Sequence, residues 1–240
     1  MARERLMASQ AGYEWIEFAG RAALADALAK KISSLLAESI TRRGTAFLAV
    51  SGGTTPARFF EALSQQQIGW DKVVVTLIDE RFVPASSPRS NAGLVMANLL
   101  RNEAASARFV SLYRDDADID DVASSDDVEL GALPWPLDVA VLGMGTDGHT
   151  ASFFPDADNL ETLLDANSKR IVLPVDAPSA GEPRLTLSAA RIVEAGFIAL
   201  HIEGADKRTA FEGAMGPDGT KPIGTVIDMA QKPVAVFWAP

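Results

Sequence analysis

The stretch VVVTLIDER, residues 73 to 81, opens with six residues that show no alternation of apolar and polar side chains and then turns abruptly charged. Successive side chains of a strand point to opposite faces, so a strand wetted on one face must alternate. Val73 to Ile78 does not alternate. It predicts a strand buried on both faces, as in a parallel sheet covered by helices. Asp79, Glu80 and Arg81 then follow directly. Charges at the end of a buried strand are costly unless they face a cleft or pair with one another. A cleft and a plain ion pair closing the strand end are the two readings the local sequence allows.

Similar apolar runs occur on both sides of this one: Ala46 to Val50, Asp138 to Leu142, Ile171 to Leu173, Phe197 to Ile202 and Val234 to Trp238. Between them lie helical patterns. Leu24, Leu28, Ile32, Leu35, Leu36 and Ile40 recur at helical spacing and predict a helix over 21–41. Further helices are expected from Asn91 to Arg101, at 188–195 and at 205–214. Pro56 suits the first turn of another, with Thr55 as its N-cap. Residues 114–130, with seven aspartates and one glutamate, read as a solvated loop. The alternation of strands and helices predicts an α/β fold, a doubly wound, mainly parallel sheet with helices on both faces, Rossmann-like, in a single domain over 1–240. Ligands of such sheets sit beyond the carboxyl ends of the strands. Three strands here end in glycine-bearing, polar or charged sequence.

Composition narrows the function classes. The chain has 240 residues, enough for a large buried core, and no cysteine. That excludes disulfides, thiolate nucleophiles and Cys-ligated zinc. A formal net charge of -10 without a basic cluster longer than Arg42-Arg43 argues against a nucleic-acid partner. The N-terminal MARERLMASQ lacks the apolar core of a signal peptide, and no later segment approaches a membrane span, so a cytoplasmic location is expected.

Two strand-end loops carry the chemistry. Ser51-Gly52-Gly53-Thr54-Thr55 lies between a strand and a helix start, where free N–H groups and the helix dipole can hold an anion. A plain strand-to-helix turn is the competing reading, and the G-K-[ST] ending of a Walker loop is missing. The second loop, GMGTDGHTASFFP at 143–155, has the spacing G-x-G-x-x-G. A dinucleotide loop would need Gly148 to open a long helix, and Pro155 leaves little room for one. Asp147 would also repel a diphosphate. A metal site is weakly supported, because Asp147 and His149 have no further ligands of evident spacing. No G-x-S-x-G elbow occurs, which disfavours a serine hydrolase. General acid–base chemistry remains, with a carboxylate orienting a histidine, against the plainer reading of a capping Asp and a packed His. His201, inside an apolar strand, reads as a packed core residue.

Together these loops resemble the glucosamine-6-phosphate isomerase/6-phosphogluconolactonase family. The resemblance rests on SGGTTP at 51–56, DERFVP at 79–84, SN at 90–91 and GMGTDGHTASFFP at 143–155, with PRLTLS at 183–188 and the Lys207 region. It runs over nearly the whole chain, in order. It implies a sugar-phosphate isomerase-like fold and hydrolysis of 6-phospho-D-glucono-1,5-lactone, in the pentose phosphate pathway, with no metal and no organic cofactor. By the same resemblance His149 is the expected base and Asp147 its neighbour. Ser51, Gly52, Gly53, Thr54, Thr55, Asp79, Arg81, Asn91, Arg184 and Lys207 are expected around the substrate. The implied partner is a small-molecule phosphosugar lactone, with no nucleic acid and no membrane, in a monomer or small homo-oligomer. Deaminase relatives carry a glutamate five residues after the histidine, where this chain has Phe154. That difference favours lactone hydrolysis over a glucosamine-6-phosphate deaminase/isomerase. A non-catalytic sugar-phosphate sensor is a further alternative, without a spare segment here for a partner module.

Overall fold

The computed structural model describes residues 5–10, 12–115, 118–216, 219 and 221–240. The chain opens with two strands, β1 (Arg5–Gln10) and β2 (Tyr13–Glu17), then the long helix α1 (Arg21–Arg43) and strand β3 (Ala46–Val50). Helix α2 (Ala57–Ser64) leads to β4 (Val73–Leu77) and the short β5 (Asp79–Arg81). Helix α3 (Asn91–Asn98), β6 (Arg108–Phe109), α4 (Ile119–Gly131), β7 (Val139–Leu142) and α5 (Leu160–Leu163) follow. The last part holds β8 (Val172–Val175), β9 (Arg184–Leu187), α6 (Ala189–Val193), β10 (Phe197–Glu203), α7 (Ala205–Ala214), α8 (Pro222–Met229) and β11 (Val234–Ala239).

Eight of these strands form one sheet, in the order β1-β2-β11-β10-β7-β3-β4-β6. All neighbours are parallel except β1 and β2. Every residue of β3, β4 and β7 is buried. Side chains on both faces are therefore covered, as the unalternating run at 73–78 predicts. The sheet is mostly parallel and the architecture α/β. A second, antiparallel sheet, β5-β9-β8, stands beside it. No helix of the described residues is long and apolar enough to cross a membrane.

Sequence and structure differ in several places. Strands β1, β2, β5, β6 and β9 and helices α5 and α8 were not expected. The N-cap of α2 is Pro56 and not Thr55, with no side-chain cap bond; Thr55 instead lines a cleft. Residues 189–193 form a helix shorter than expected. The largest correction is the acidic segment. Asp116 and Ala117 lie outside the described residues, but 119–131 is a helix rather than a solvated loop. Its aspartates explain this. Asp118 is the N-cap and accepts from Asp120 N at 2.9 Å, and Asp120 and Asp121 occupy the first turn, where negative charge suits the dipole. Val122, Ala123, Asp126 and Leu130 form its buried face. Asp126 is held there by Arg114 at 2.8 Å, and Asp127 accepts from Ile171 N and Val172 N at 2.7 and 2.8 Å.

Candidate active site

Strands β3 and β7 lie side by side, yet the chain leaves β3 towards β4 on one side and returns to β7 on the other. Crossovers that depart in opposite directions open a crevice at their carboxyl ends. The two expected loops meet there, tied by Ser51 N donating to Val141 O at 2.9 Å. The loop after β3 runs close to α3: a Cβ at Gly52 would fall 1.9 Å from Asn91 Oδ1, so only glycine fits. Asn91 is itself fixed, because its Nδ2 donates to Asp79 O at 2.7 Å.

The loop after β7 folds back on itself. Gly145 N donates to His149 O at 2.8 Å and Gly148 N to Gly145 O at 3.1 Å. Thr150 Oγ1 donates to Gly143 O at 2.7 Å. No long helix opens at Gly148; the next helix is the single turn α5, so the phosphate-cradling geometry of a dinucleotide loop is missing. The turn sets Asp147 Oδ1 2.7 Å from His149 Nδ1. A Cβ at Gly145 would lie 2.3 Å from both of those atoms, so the pair depends on that glycine. Partial burial pushes the Asp147 carboxyl up, but the hydrogen bond and charge of the imidazole, with backbone N–H groups, bring it down to about 2. An ionised carboxylate only accepts. The proton of the neutral imidazole therefore sits on Nδ1, leaving the lone pair on Nε2.

The second sheet supplies cations. In the β5–β9 pairing Arg81 lies opposite Arg184, and like charges in that relation repel. Arg184 is nearly buried and pairs with Glu182 at 3.3 Å and, more loosely, Asp79 at 3.9 Å. Burial, and then the Arg81 charge against the pull of Asp79, leave its guanidinium below the usual arginine range. Asp79 also accepts from Ser152 Oγ at 2.7 Å. Between Asp79 and Arg81, fully buried Glu80 takes four donors. They are Arg81 N, Asn91 N and Ala92 N at 2.7 Å and Ser90 Oγ at 3.0 Å. From α7, Lys207 Nζ donates to Met144 O at 2.7 Å, and burial lowers its pKa.

One cleft gathers these parts. Ser51 to Thr55, Asp79, Arg81, Asn91, His149, Arg184 and Lys207 all line it. Asp147 stands behind His149. The volume, about 200 Å³, suits a single small ligand rather than a dinucleotide. Four buried polar atoms on its wall have no hydrogen-bond partner: Ser51 Oγ, Arg81 Nε, Asn91 Oδ1 and Arg184 Nε. Unpartnered buried groups are uncommon, and all four belong to residues that line the cleft. Among the described residues no group of three or more potential metal ligands occurs.

One reading changes. His201 is buried and packs edge-on against Phe59, as expected, but it also lines the cleft and lies 3.3 Å from Glu203 Oε1. Its place near the carboxyl end of a parallel strand was the available signal. Arg191, which pairs with Glu194, does not line the cleft, and Arg89 is exposed and braces Glu182. Ser152 and Glu182 were not singled out in the sequence, and Glu80 was read only as one charge of the 79–81 triplet.

A mostly parallel α/β sheet with a cation-lined cleft at its switch point defines an α/β protein built to take a small polar ligand there. Residues 19–238 match the family model described as glucosamine-6-phosphate isomerases/6-phosphogluconolactonase. A 6-phosphogluconolactonase of Mesorhizobium japonicum is 66% identical over 240 residues, covering 100% of both chains. One of Rhizobium meliloti is 48% identical, covering 93% of this chain and 97% of its own. The crystal structure of a 6-phosphogluconolactonase from Shewanella baltica superposes with a TM-score of 0.91 at 36% identity, covering 98% of this chain and 100% of that one. The chain belongs to the glucosamine-6-phosphate isomerase/6-phosphogluconolactonase family.

Proposed function

We propose that this protein hydrolyses 6-phospho-D-glucono-1,5-lactone to 6-phospho-D-gluconate by histidine-assisted attack of water. The observation that carries the reading is the Asp147–His149 pair, 2.7 Å apart, at the wall of a cleft whose arginine, serine and asparagine atoms lack partners. The relatives named 6-phosphogluconolactonase, similar over their full length, support the same reaction.

The substrate phosphate docks on the Ser51–Thr55 loop, with Lys207 and Arg184 offsetting its charge. His149 Nε2 takes a proton from water as the water oxygen bonds to the lactone carbonyl carbon. Asp147, ionised throughout, holds Nδ1–H and stabilises the imidazolium. Arg81 or backbone N–H groups face the developing oxyanion. The tetrahedral intermediate then collapses: the bond from carbonyl carbon to ring oxygen breaks, and His149 returns its proton to that oxygen. Water adds across the ester and no electrons are exchanged.

Phe154 separates this reaction from deamination, since a phenyl ring transfers no proton. The test is one preparation assayed for acid release from the lactone and for ammonia release from glucosamine 6-phosphate. Lactone hydrolysis well above the spontaneous rate is expected, without ammonia. Ammonia at a comparable rate would transfer the assignment to the deaminase, and binding without turnover to a sensor.

A further inference from the structure

The hydrolytic mechanism leaves Phe154 with no positive task, yet its ring touches two of the groups that the mechanism uses. Phe154 is 4% exposed and does not line the cleft. Its centroid lies 4.3 Å from that of the His149 imidazole, with 33° between the planes. The guanidinium carbon of Arg184 lies 5.4 Å from the same centroid, inside the range of about 6 Å for cation–π attraction. The side chains of the base and of a buried cation therefore lean on one apolar ring.

The Asp147 bond fixes His149 Nδ1 at one point. A single contact leaves the imidazole free to swing about that bond, and Nε2 swings with it. A second surface is needed to set the ring plane. Arg184 NH2 donates to Ala180 O at 2.9 Å and pairs with Glu182 at 3.3 Å, and NH1 lies 3.9 Å from Asp79, while Nε has no partner. Flat contact with an aromatic ring orients a guanidinium without consuming a donor.

Resting on the reading of His149 as the base, we propose that Phe154 is a positioning residue: its ring sets the planes of His149 and Arg184, and so the direction of Nε2 and of the guanidinium in the cleft. Misplacement of a reacting group by about 1 Å can lower rates about 10²-fold. Phe154→Leu keeps apolar bulk but removes the flat ring. It is expected to lower kcat about 10- to 100-fold with a smaller change in KM. In the His149→Asn background the part of the kcat loss that passes through the imidazole is expected to vanish, leaving only the smaller effect through Arg184.

The decisive measurement needs no turnover. The chain has two histidines, so the His149 ring resonances are assigned by their disappearance in His149→Asn. In the native protein the ring current of Phe154 should displace those carbon-bound protons, and Phe154→Leu should return them towards the positions of an unstacked histidine. Phe154→Met is the substitute should the leucine variant not fold. Undisplaced His149 resonances in the native protein, or a folded variant within twofold of native kcat, overturn the proposal. An inactive native protein would sink the hydrolytic reading and this one together; an active native protein with undisplaced resonances sinks this one alone.

Discussion

Replacing Glu80 by glutamine tests whether the charged strand β5 is held by hydrogen bonding or merely tolerated. All four partners of this buried carboxylate are donors: Oε1 takes Arg81 N and Asn91 N, and Oε2 takes Ala92 N and Ser90 Oγ. Glutamine matches the shape but turns one oxygen into a donor. With its NH2 at the Oε2 position, Ser90 can swing to accept, but Ala92 N–H is orphaned. With NH2 at the Oε1 position, two backbone N–H groups are orphaned. The first arrangement is the cheaper, at about 1–3 kcal/mol for one unsatisfied N–H, plus weaker bonds from a neutral acceptor. Burial works the other way, because it pushes the Glu80 carboxyl up and so opposes the charge. A carboxyl raised on folding stabilises fully at low pH and loses that contribution as pH rises through its folded pKa. Removing the charge at neutral pH therefore returns part of the loss. The net expectation is destabilisation of about 1–3 kcal/mol, or a Tm lower by about 2–12 °C for a chain of this size. Urea and thermal unfolding at neutral pH provide the assay. A higher KM for the lactone should accompany the loss, because Arg81 and Asn91 both lie on the cleft and both donate to Glu80. A variant within about 0.5 kcal/mol of native, or more stable, would show that the burial penalty matches or outweighs the four bonds and would refute the reasoning.

His149→Asn should lose about 10²–10⁴-fold in kcat, after subtraction of spontaneous hydrolysis, with KM nearly kept; near-native kcat in a folded variant would remove His149 from the chemistry. Asp147, held down to about 2, should keep its charge and its bond to His149 Nδ1 under mild acidification; loss of that charge well above pH 2 would refute this. Gly52→Ala places a Cβ 1.9 Å from Asn91 Oδ1, so raised KM and lowered Tm should appear together, and unchanged kinetics would mean that the loop does not bind substrate. Burial raises Asp126 from 3.8 to about 6 against the opposing bond from Arg114, so its contribution is full below 3.8 and lost as pH rises through about 6. Asp126→Asn should therefore gain on the native protein over that window, by up to roughly 3 kcal/mol; parallel stability curves would contradict it.

The parts of the fold that rest on local pattern were legible. An unalternating run such as 73–78 can only be buried on both faces, and leucines at helical spacing announce α1. The site loops were legible because strand ends carrying glycine and charge are uneconomical unless something uses them. What stayed hidden depends on distant partners. Helix α4 looked like a loop because its aspartates serve three different jobs: capping, meeting Arg114, and catching the N–H groups of residues 171 and 172. No single-sequence pattern announces those partners. Glu80 was passed over as one charge in a charged triplet, although its donors lie eleven and twelve residues away. His201 matched the apolar strand around it, and only the sheet order brings its strand end to the cleft.

The pairing of Arg81 with Arg184 links this hidden layer to function. Two cations opposite one another on an antiparallel pair, in a chain with net charge -10, make no sense as a device for solubility or for folding. Arg184 is held by Asp79, Glu182 and Ala180 O, and Arg81 by the carbonyl of Arg89. Both leave Nε buried without a partner. A fold keeps such repulsion and unsatisfied donors when a ligand relieves them, and the ligand that relieves two guanidinium groups is an anion. In a chain of net charge -10, the cleft gathers Arg81, Arg184 and Lys207 against Asp79. A phosphorylated lactone, whose carbonyl oxygen turns anionic as water adds, offers negative charge both in the ground state and at the point of reaction.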